Sequence, residues 1–430
     1  MTSVLPQVNE YVRSRSGRLT ALLQDLVARP SENRAPLGSE RACQEYIAER
    51  LREAGWEPVL YTPAEVPGIE QHPLYWPGRD YTNRPNVGAR RAGSGGGRSL
   101  VISGHVDTVP IGAEPWTRDP FGGQIEGSRL YGRGSNDMKC GIATNVFVVE
   151  ALRDLDIRLA GDLVFESVVD EEFGGVNGTL AGRLMDFNAD AAIISEPTSL
   201  RVCPAQRGGR TVHITFRSPN DGILCAAQAS AIEQLRVFLN GVAEFQAQRL
   251  RSVSVPAVYD HLENPVPATV TRVHTAAWGT SEPTNVPSVC RVEFFWQAMP
   301  GESLDAVDRE FHEWFDAILS AHRDVFVCAP QIEHPIRWLP GSALDDNHPL
   351  LAELSSAAAD VRKHRPLVQG IEGPCDLYVF HRFGIPAALW GASGGNTHNP
   401  DEYVELDSLA DAAAVLLTFI CRWCGVASAS

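Results

Sequence analysis

The run ESVVDEEFGG, residues 166–175, places three acids, Asp170, Glu171 and Glu172, at the end of an apolar stretch. Crowded like charges repel and raise one another's pKa unless a cation neutralises them. Four other stretches carry residues of the same ligating types. GHVDTVP holds His105 and Asp107, YGRGSNDMKCG holds Asp137, ADAAIISEP holds Glu196 and GASGGNTHNPDEY holds His398. His105 and Asp107 are two apart, so on a strand they point to one face, where a carboxylate can fix the tautomer of a metal-binding imidazole. Singly, each residue has an ordinary explanation. His105 and His398 would be hydrogen-bonded histidines, Asp137 a helix N-cap, Glu196 a solvated strand terminus, and Asp170 a surface or structural acid. Together, two imidazoles and three carboxylates on one rim would be costly without cations. A pair of divalent ions with a bound hydroxide closes the charge balance.

The surrounding elements say how these residues meet. RLTALLQDLVARPS and ERACQEYIAERLREAGW have the apolar spacing of helices. SLVISGHVD (99–107), LAGDLVFESVVDEE (159–172) and ADAAIISEP (189–197) read as buried strands, with KCGIATNVFVVEALRDL between the first two as an amphipathic helix. This alternation predicts an α/β fold with a mostly parallel sheet flanked by helices. In such sheets ligands collect outside the carboxyl ends of the strands, where the five ligand-bearing loops fall.

Beyond residue 207 the pattern changes. TVHITFR, CAAQASAIEQLRVFLNGVAEFQAQ, ATVTRVHTAAW, SVCRVEFFWQA, SLDAVDREFHEWFDAILSAH and DVFVCAPQIE read as a βαββαβ, ferredoxin-like unit. Residues 208–330 are therefore expected as an inserted domain, with 1–207 and 331–430 forming the domain that carries the ligands. HPLLAELSSAAADVRK then reads as a helix and IPAALWG as a short buried strand.

A chain of 430 residues, 44% hydrophobic, fits a two-domain soluble enzyme. Its net charge of -16 argues against nucleic acid and anionic membranes as partners and leaves a small-molecule substrate. No window reaches the length of a membrane span, and MTSVLPQVNEYVRSRSGRL lacks a signal peptide's apolar core, so a cytoplasmic location is expected. Nine scattered cysteines fit reduced thiols better than a disulfide framework or a zinc knuckle.

In this order and spacing, SGHVDTVP, YGRGSNDMKCG, VVDEEFGG, ISEPT and GGNTHNPDEYV resemble the dinuclear metallohydrolases that include acetylornithine deacetylase, succinyl-diaminopimelate desuccinylase, aminoacylase and carboxypeptidase G. The resemblance spans nearly the whole chain. It implies that His105 and Glu196 bind one metal, Glu172 and His398 the other, and that Asp137 bridges both. It implies that Asp107 orients His105 and that Glu171 is the general base, passing a proton from water to the leaving nitrogen. Two divalent ions follow, with zinc favoured by first-row affinities and manganese or cobalt as alternatives. A homodimer formed through the inserted lid domain also follows.

The lid departs from the family's pattern. Where the resembling enzymes carry a histidine that reaches the developing oxyanion, an ungapped count from ASAIEQL places Asp221. Where they carry an arginine for a substrate carboxylate, FFWQAMPGE offers Gln297, while Asn285 in TNVP matches a lid asparagine. An oxyanion donor is worth roughly 2.7–4 kcal/mol in acyl transfer, so its loss matters. Three readings follow. In the first, the chain deacylates an N-acyl amino acid or cleaves a small peptide-like amide, with Arg207, Arg210 or His213 facing the metals as the replacement donor. In the second, it removes the amine from an aromatic compound whose ring absorbs the charge, as the similar 5-nitroanthranilate deaminase would. In the third, it binds metal without catalysis, against which the complete ligand set and Glu171 speak.

Overall fold

The computed structural model describes residues 4–219, 228–275 and 286–427. The chain forms two compact units: Met1–Ala205 with Ala343–Ile371 and Cys375–Ser430, and Gln206–Ser342 with Glu372–Pro374.

The first unit is built on a six-stranded sheet in the order Ala387–Leu389, Ala192–Ile194, Leu100–Ser103, Leu163–Ser167, Asn86–Arg91, Val59–Tyr61. The first four strands run parallel, and the last two join antiparallel at one edge. LVIS, LVFES and AII are wholly buried, the pattern of strands covered on both faces. Their core is shared with the long helices Val4–Val27, Lys139–Asp154 and Leu406–Trp423.

The helix Lys139–Asp154 corrects the amphipathic reading, because Lys139 to Leu152 are all buried. Lys139 satisfies its ammonium on the carbonyls of Leu26 (3.0 Å) and Arg29 (2.8 Å), and burial lowers its pKa. Gly141 lets this helix press on the end of a neighbouring strand, since a Cβ there would lie 2.0 Å from the Ser195 carbonyl oxygen.

The second unit has a four-stranded antiparallel sheet in the order Ala268–His274, Val289–Ala298, Gly208–Arg217, Gln331–Glu333. Helices Ala231–Ser252 and Leu304–Ala321 cover the face bearing Val212, Ile214 and Phe216 with an aromatic core around Phe238, Phe294 and Phe311. Strand order and helix placement are those of the expected βαββαβ unit. DVFVCAPQIE contributes only its last three residues as a strand. This unit runs to Ser342, beyond residue 330, because Gln331–Glu333 pairs with Thr215–His213.

Among the described residues, no cysteine is in a disulfide and no helix is long and apolar enough to cross a membrane. Cys421 and Cys424 have CxxC spacing, but burial pushes both thiols up to about 12, which makes them poor nucleophiles.

Candidate metal centre

The seven chemically promising residues of the first unit come together. His105 follows the strand Leu100–Ser103 and is clipped by a parallel bridge to Val168, just past Leu163–Ser167. Glu171 and Glu172 follow that second strand, and Glu196 follows Ala192–Ile194. Asp137 and His398 lie in turns that follow Arg129–Tyr131 and Gly394–Gly395, strands of a smaller sheet that also includes Tyr403–Glu405. Asp137 is not the helix N-cap, a place taken by Met138.

Asp137 stands between the imidazoles. Its Oδ1 lies 3.2 Å from His105 Nε2 and its Oδ2 3.4 Å from His398 Nε2. Glu172 Oε2 lies 2.9 Å from His398 Nε2. On the other side, Glu196 Oε1 is 3.7 Å and Glu171 Oε2 3.8 Å from His105 Nε2. Ligand atoms of His105, Asp137 and Glu172 lie within 4.8 Å of one another. Imidazole nitrogens and carboxylate oxygens in such a cluster suit a first-row divalent ion.

His105 Nδ1 donates to the Asp107 main-chain carbonyl at 3.0 Å, with the Asp107 carboxylate 3.5 Å away, leaving Nε2 for the cluster. The same carboxylate accepts from Asn33 Nδ2 (2.8 Å) and from the main-chain N–H groups of Glu171 (3.1 Å) and Glu172 (3.2 Å). His398 holds a left-handed φ of 64°, a conformation that needs support from its surroundings.

Burial pushes Glu196 up to about 8, opposed by His105 and reinforced by Asp137 and Glu172. Burial also drives Glu171 well above the ordinary range, with Asp376 and Glu196 adding to it against His105. Burial works against a charged His398, yet its bonds to Asp137 and Glu172 raise it to about 11. The cluster therefore holds more negative charge than its imidazoles offset, and cations would relieve it.

Asp170 is not a surface acid. It is fully buried, accepts from Tyr81 Oη at 2.7 Å, and lies 3.5 Å from Arg79 Nε and 3.6 Å from Arg84 Nη2. Among the described residues, arginines pair with this acid and with neither Glu171 nor Glu172.

Three further residues escaped the sequence reading. Asn33 and Asp376 carry no spacing signal. Asp376 accepts from Thr179 Oγ1 and is pushed up to about 7, chiefly by burial. Glu402, four residues past His398 in a motif already singled out, is buried and receives the main-chain N–H groups of Gly134, Asn136 and Asp137.

The second unit's candidates are engaged among themselves. Arg207 and Gln297 both donate to the Glu372 carbonyl, at 2.8 and 2.7 Å, and Arg207 also reaches the Pro265 carbonyl at 2.7 Å. Arg210 forms a forked pair with Asp308 at 2.7 and 2.8 Å, and His213 pairs with Glu293 at 3.0 Å. Arg207, Arg210 and His213, the three side chains expected as replacement donors, are thus already bonded within that unit. Asp221 and Asn285 lie outside the described residues.

A mostly parallel sheet with an imidazole and acids beyond its carboxyl edge, a second imidazole and acid brought to them from a smaller sheet, and a ferredoxin-like insertion are the marks of a metal-dependent hydrolase of carbon–nitrogen bonds. The chain belongs to peptidase family M20/M25/M40, whose model matches residues 101–422. It is 28% identical to the N-formyl-4-amino-5-aminomethyl-2-methylpyrimidine deformylase of Halalkalibacterium halodurans, over 98% of each chain. It is 26% identical to the succinyl-diaminopimelate desuccinylase of Leptothrix cholodnii, over 90% of this chain and 94% of that one. Its fold is similar to that of the dipeptidase Dug1p of Saccharomyces cerevisiae, with a TM-score of 0.75, 14% identity and coverage of 98% and 99% of the two chains.

Proposed function

We propose that this enzyme deacylates a small N-acyl amine, with a formyl or similarly short acyl group, using two divalent ions and water. The observation that carries this reading is Asp137, whose two oxygens face two different imidazoles while Glu171 lies beside the first. His105, Glu196 and Asp137 would hold one ion, and Glu172, His398 and Asp137 the other. When bound, such ions polarise the amide carbonyl and bring the pKa of water toward neutrality. Zinc is the expected ion, with manganese and cobalt as alternatives.

The protein's own groups move the proton. Glu171, its main chain fixed on Asp107, takes a proton from the attacking water and delivers it to the amide nitrogen as the C–N bond breaks. The products are a carboxylate and a free amine. A carboxylate raised by burial suits both halves of that transfer. Asp107 orients His105 throughout.

Two findings support a short acyl group over an N-acyl amino acid. A relative matched over 98% of each chain is named as a deformylase. Gln297, where the family pattern leads one to expect an arginine for a substrate carboxylate, is neutral and commits its amide to the Glu372 carbonyl. Aromatic-amine hydrolysis gains no support from either finding.

The enzyme would act in the reducing cytoplasm, which cysteines without disulfides among the described residues favour. It would pair through the second unit. There the strand Ala268–His274 bonds to one neighbour only among the described residues, and Ile232, Leu239 and Leu250 are exposed along one helix.

The test is a panel of N-formyl amines, N-acetyl amines, N-acyl amino acids and 5-nitroanthranilate, assayed with protein loaded with zinc, manganese or cobalt. Turnover of short-acyl amides that a chelator abolishes is expected. Turnover of N-acyl amino acids alone, of the aryl amine alone, or of nothing would overturn the reading.

A further inference from the structure

We infer that Glu402 is a positioning residue that locks the Asp137 turn to the His398 loop and thereby sets metal affinity from behind the ligands. The inference rests on the metal reading above. Glu402 is fully buried, and its carboxylate is saturated by the turn at residues 133–137. Oε1 accepts the N–H of Asn136 at 3.0 Å and of Asp137 at 2.9 Å; Oε2 accepts the N–H of Gly134 at 3.0 Å and the Arg133 guanidinium. An ionised carboxylate has about four acceptor sites, so this one is filled by a single turn.

The other half of the lock is covalent. Glu402 lies in the segment that carries His398, and its own carbonyl accepts the Gly132 N–H at 2.8 Å. Asn136 Nδ2 adds a bond to Thr397 Oγ1 at 2.8 Å, next to His398. Gly394 permits this approach, because a Cβ there would stand 2.2 Å from Asn136 Oδ1. One carboxylate therefore fixes the main chain of the residue between the two imidazoles to the loop that supplies one of them.

A backbone amide donated to a buried charge is among the stronger hydrogen bonds, so the turn is held before any ion arrives. Glutamine has the same shape, but it presents N–H groups where Oε2 now accepts, facing the Gly134 N–H and Arg133. A turn released from its anchor would let Asp137 wander by a fraction of an ångström, which metal affinity registers. Substitutions in such outer supports typically weaken metal binding 10–100-fold.

The experiment compares full-length wild type with Glu402→Gln and Glu402→Asp. Divalent-ion affinity is measured by chelator competition, ligand field by the visible spectrum of the cobalt-loaded protein, and folding by circular dichroism. For a folded Glu402→Gln, zinc affinity 10–100-fold weaker and an altered cobalt spectrum are expected, with kcat falling more than KM changes. Glu402→Asp, which keeps the charge but shortens the reach, should fall between. Wild-type affinity and spectrum in either folded variant would overturn the inference.

Hydrogen exchange on metal-free wild type tests it without any variant. The Asn136 and Asp137 amides should be protected to the level of the neighbouring helix, and free exchange would overturn the lock. Wild type that binds no divalent ion would instead overturn the metal reading, and this inference with it. A wild type that binds ions but deacylates nothing would sink the proposed substrate and leave the lock standing.

Discussion

The main-chain N–H of Glu171 donates to the carboxylate of Asp107, 3.1 Å from Oδ2. Through that bond the loop after Leu163–Ser167 is tied to the loop after the adjacent strand Leu100–Ser103. Asp107 sits 3.5 Å from His105 Nδ1 as well, so one buried carboxylate lies beside an imidazole and holds the main chain of two glutamates.

Asp107→Asn should therefore harm more than His105 alone. The amide keeps one acceptor oxygen for two main-chain N–H groups and Asn33, and it removes the charge beside the imidazole. We expect a folded protein that binds zinc 10–100-fold more weakly, the usual scale for such supporting groups. Chelator competition on the purified variant checks this; wild-type affinity would remove Asp107 from the account.

Glu171→Gln should separate chemistry from metal binding. Glu171 lies 3.8 Å from His105 Nε2, yet in the proposed assignment it is not a ligand. Metal content should stay at the wild-type level while kcat falls roughly 10²- to 10⁴-fold, the range for losing a general base. Mass-spectrometric metal analysis beside single-turnover kinetics reads both quantities from one preparation.

Metal-free protein should lose stability as the pH rises. Folding raises Glu196 from 4.5 to about 8 and Asp376 from 3.8 to about 7, both chiefly through burial. A group whose folded pKa is raised keeps its full contribution below the unfolded value and loses it as pH climbs through the folded one. His398, raised from 6.5 to about 11, works in the same direction. Asp137 is lowered and matters only at acid pH. Thermal melts with chelator should therefore show Tm falling from pH 5 to pH 8, and bound zinc should flatten the trend. A chelated protein whose Tm rises over that interval would contradict this electrostatic picture.

The main sheet was legible because apolar runs such as LVIS and LVFES announce themselves, and the gathering of acids and imidazoles was legible because those residues follow the ends of such runs. For Asp170 the choice between a surface and a structural acid stayed open in the sequence, because its neutralising partners, Arg79 and Arg84, are some ninety residues earlier and carry no periodic signal. Glu402 stood inside a quoted motif, yet its role depends on main-chain N–H groups, which every residue but proline has. Lys139 made its helix look half exposed, because a buried ammonium capped by two carbonyls is indistinguishable in sequence from a solvated one.

The same buried network supplies the last prediction. Arg84 is fully buried, bonds Glu40 through Nε (3.0 Å) and Nη2 (2.7 Å), and lies 3.6 Å from Asp170, one residue before Glu171. Arg84→Met would leave two buried carboxylates short of their cation. Breaking such a pair from one side typically costs about 3–5 kcal/mol, more than the pair itself contributes. Burial already pushes Glu40 up to about 7 against the opposing guanidinium, and without Arg84 it should hold its proton still more tightly. Because a raised carboxylate loses its contribution as pH rises, the variant's deficit in urea unfolding should be larger at pH 8 than at pH 5. Adding Glu40→Gln should recover part of the loss and most of the pH dependence. A double variant no more stable than the single one would show that Glu40 is not the group left stranded.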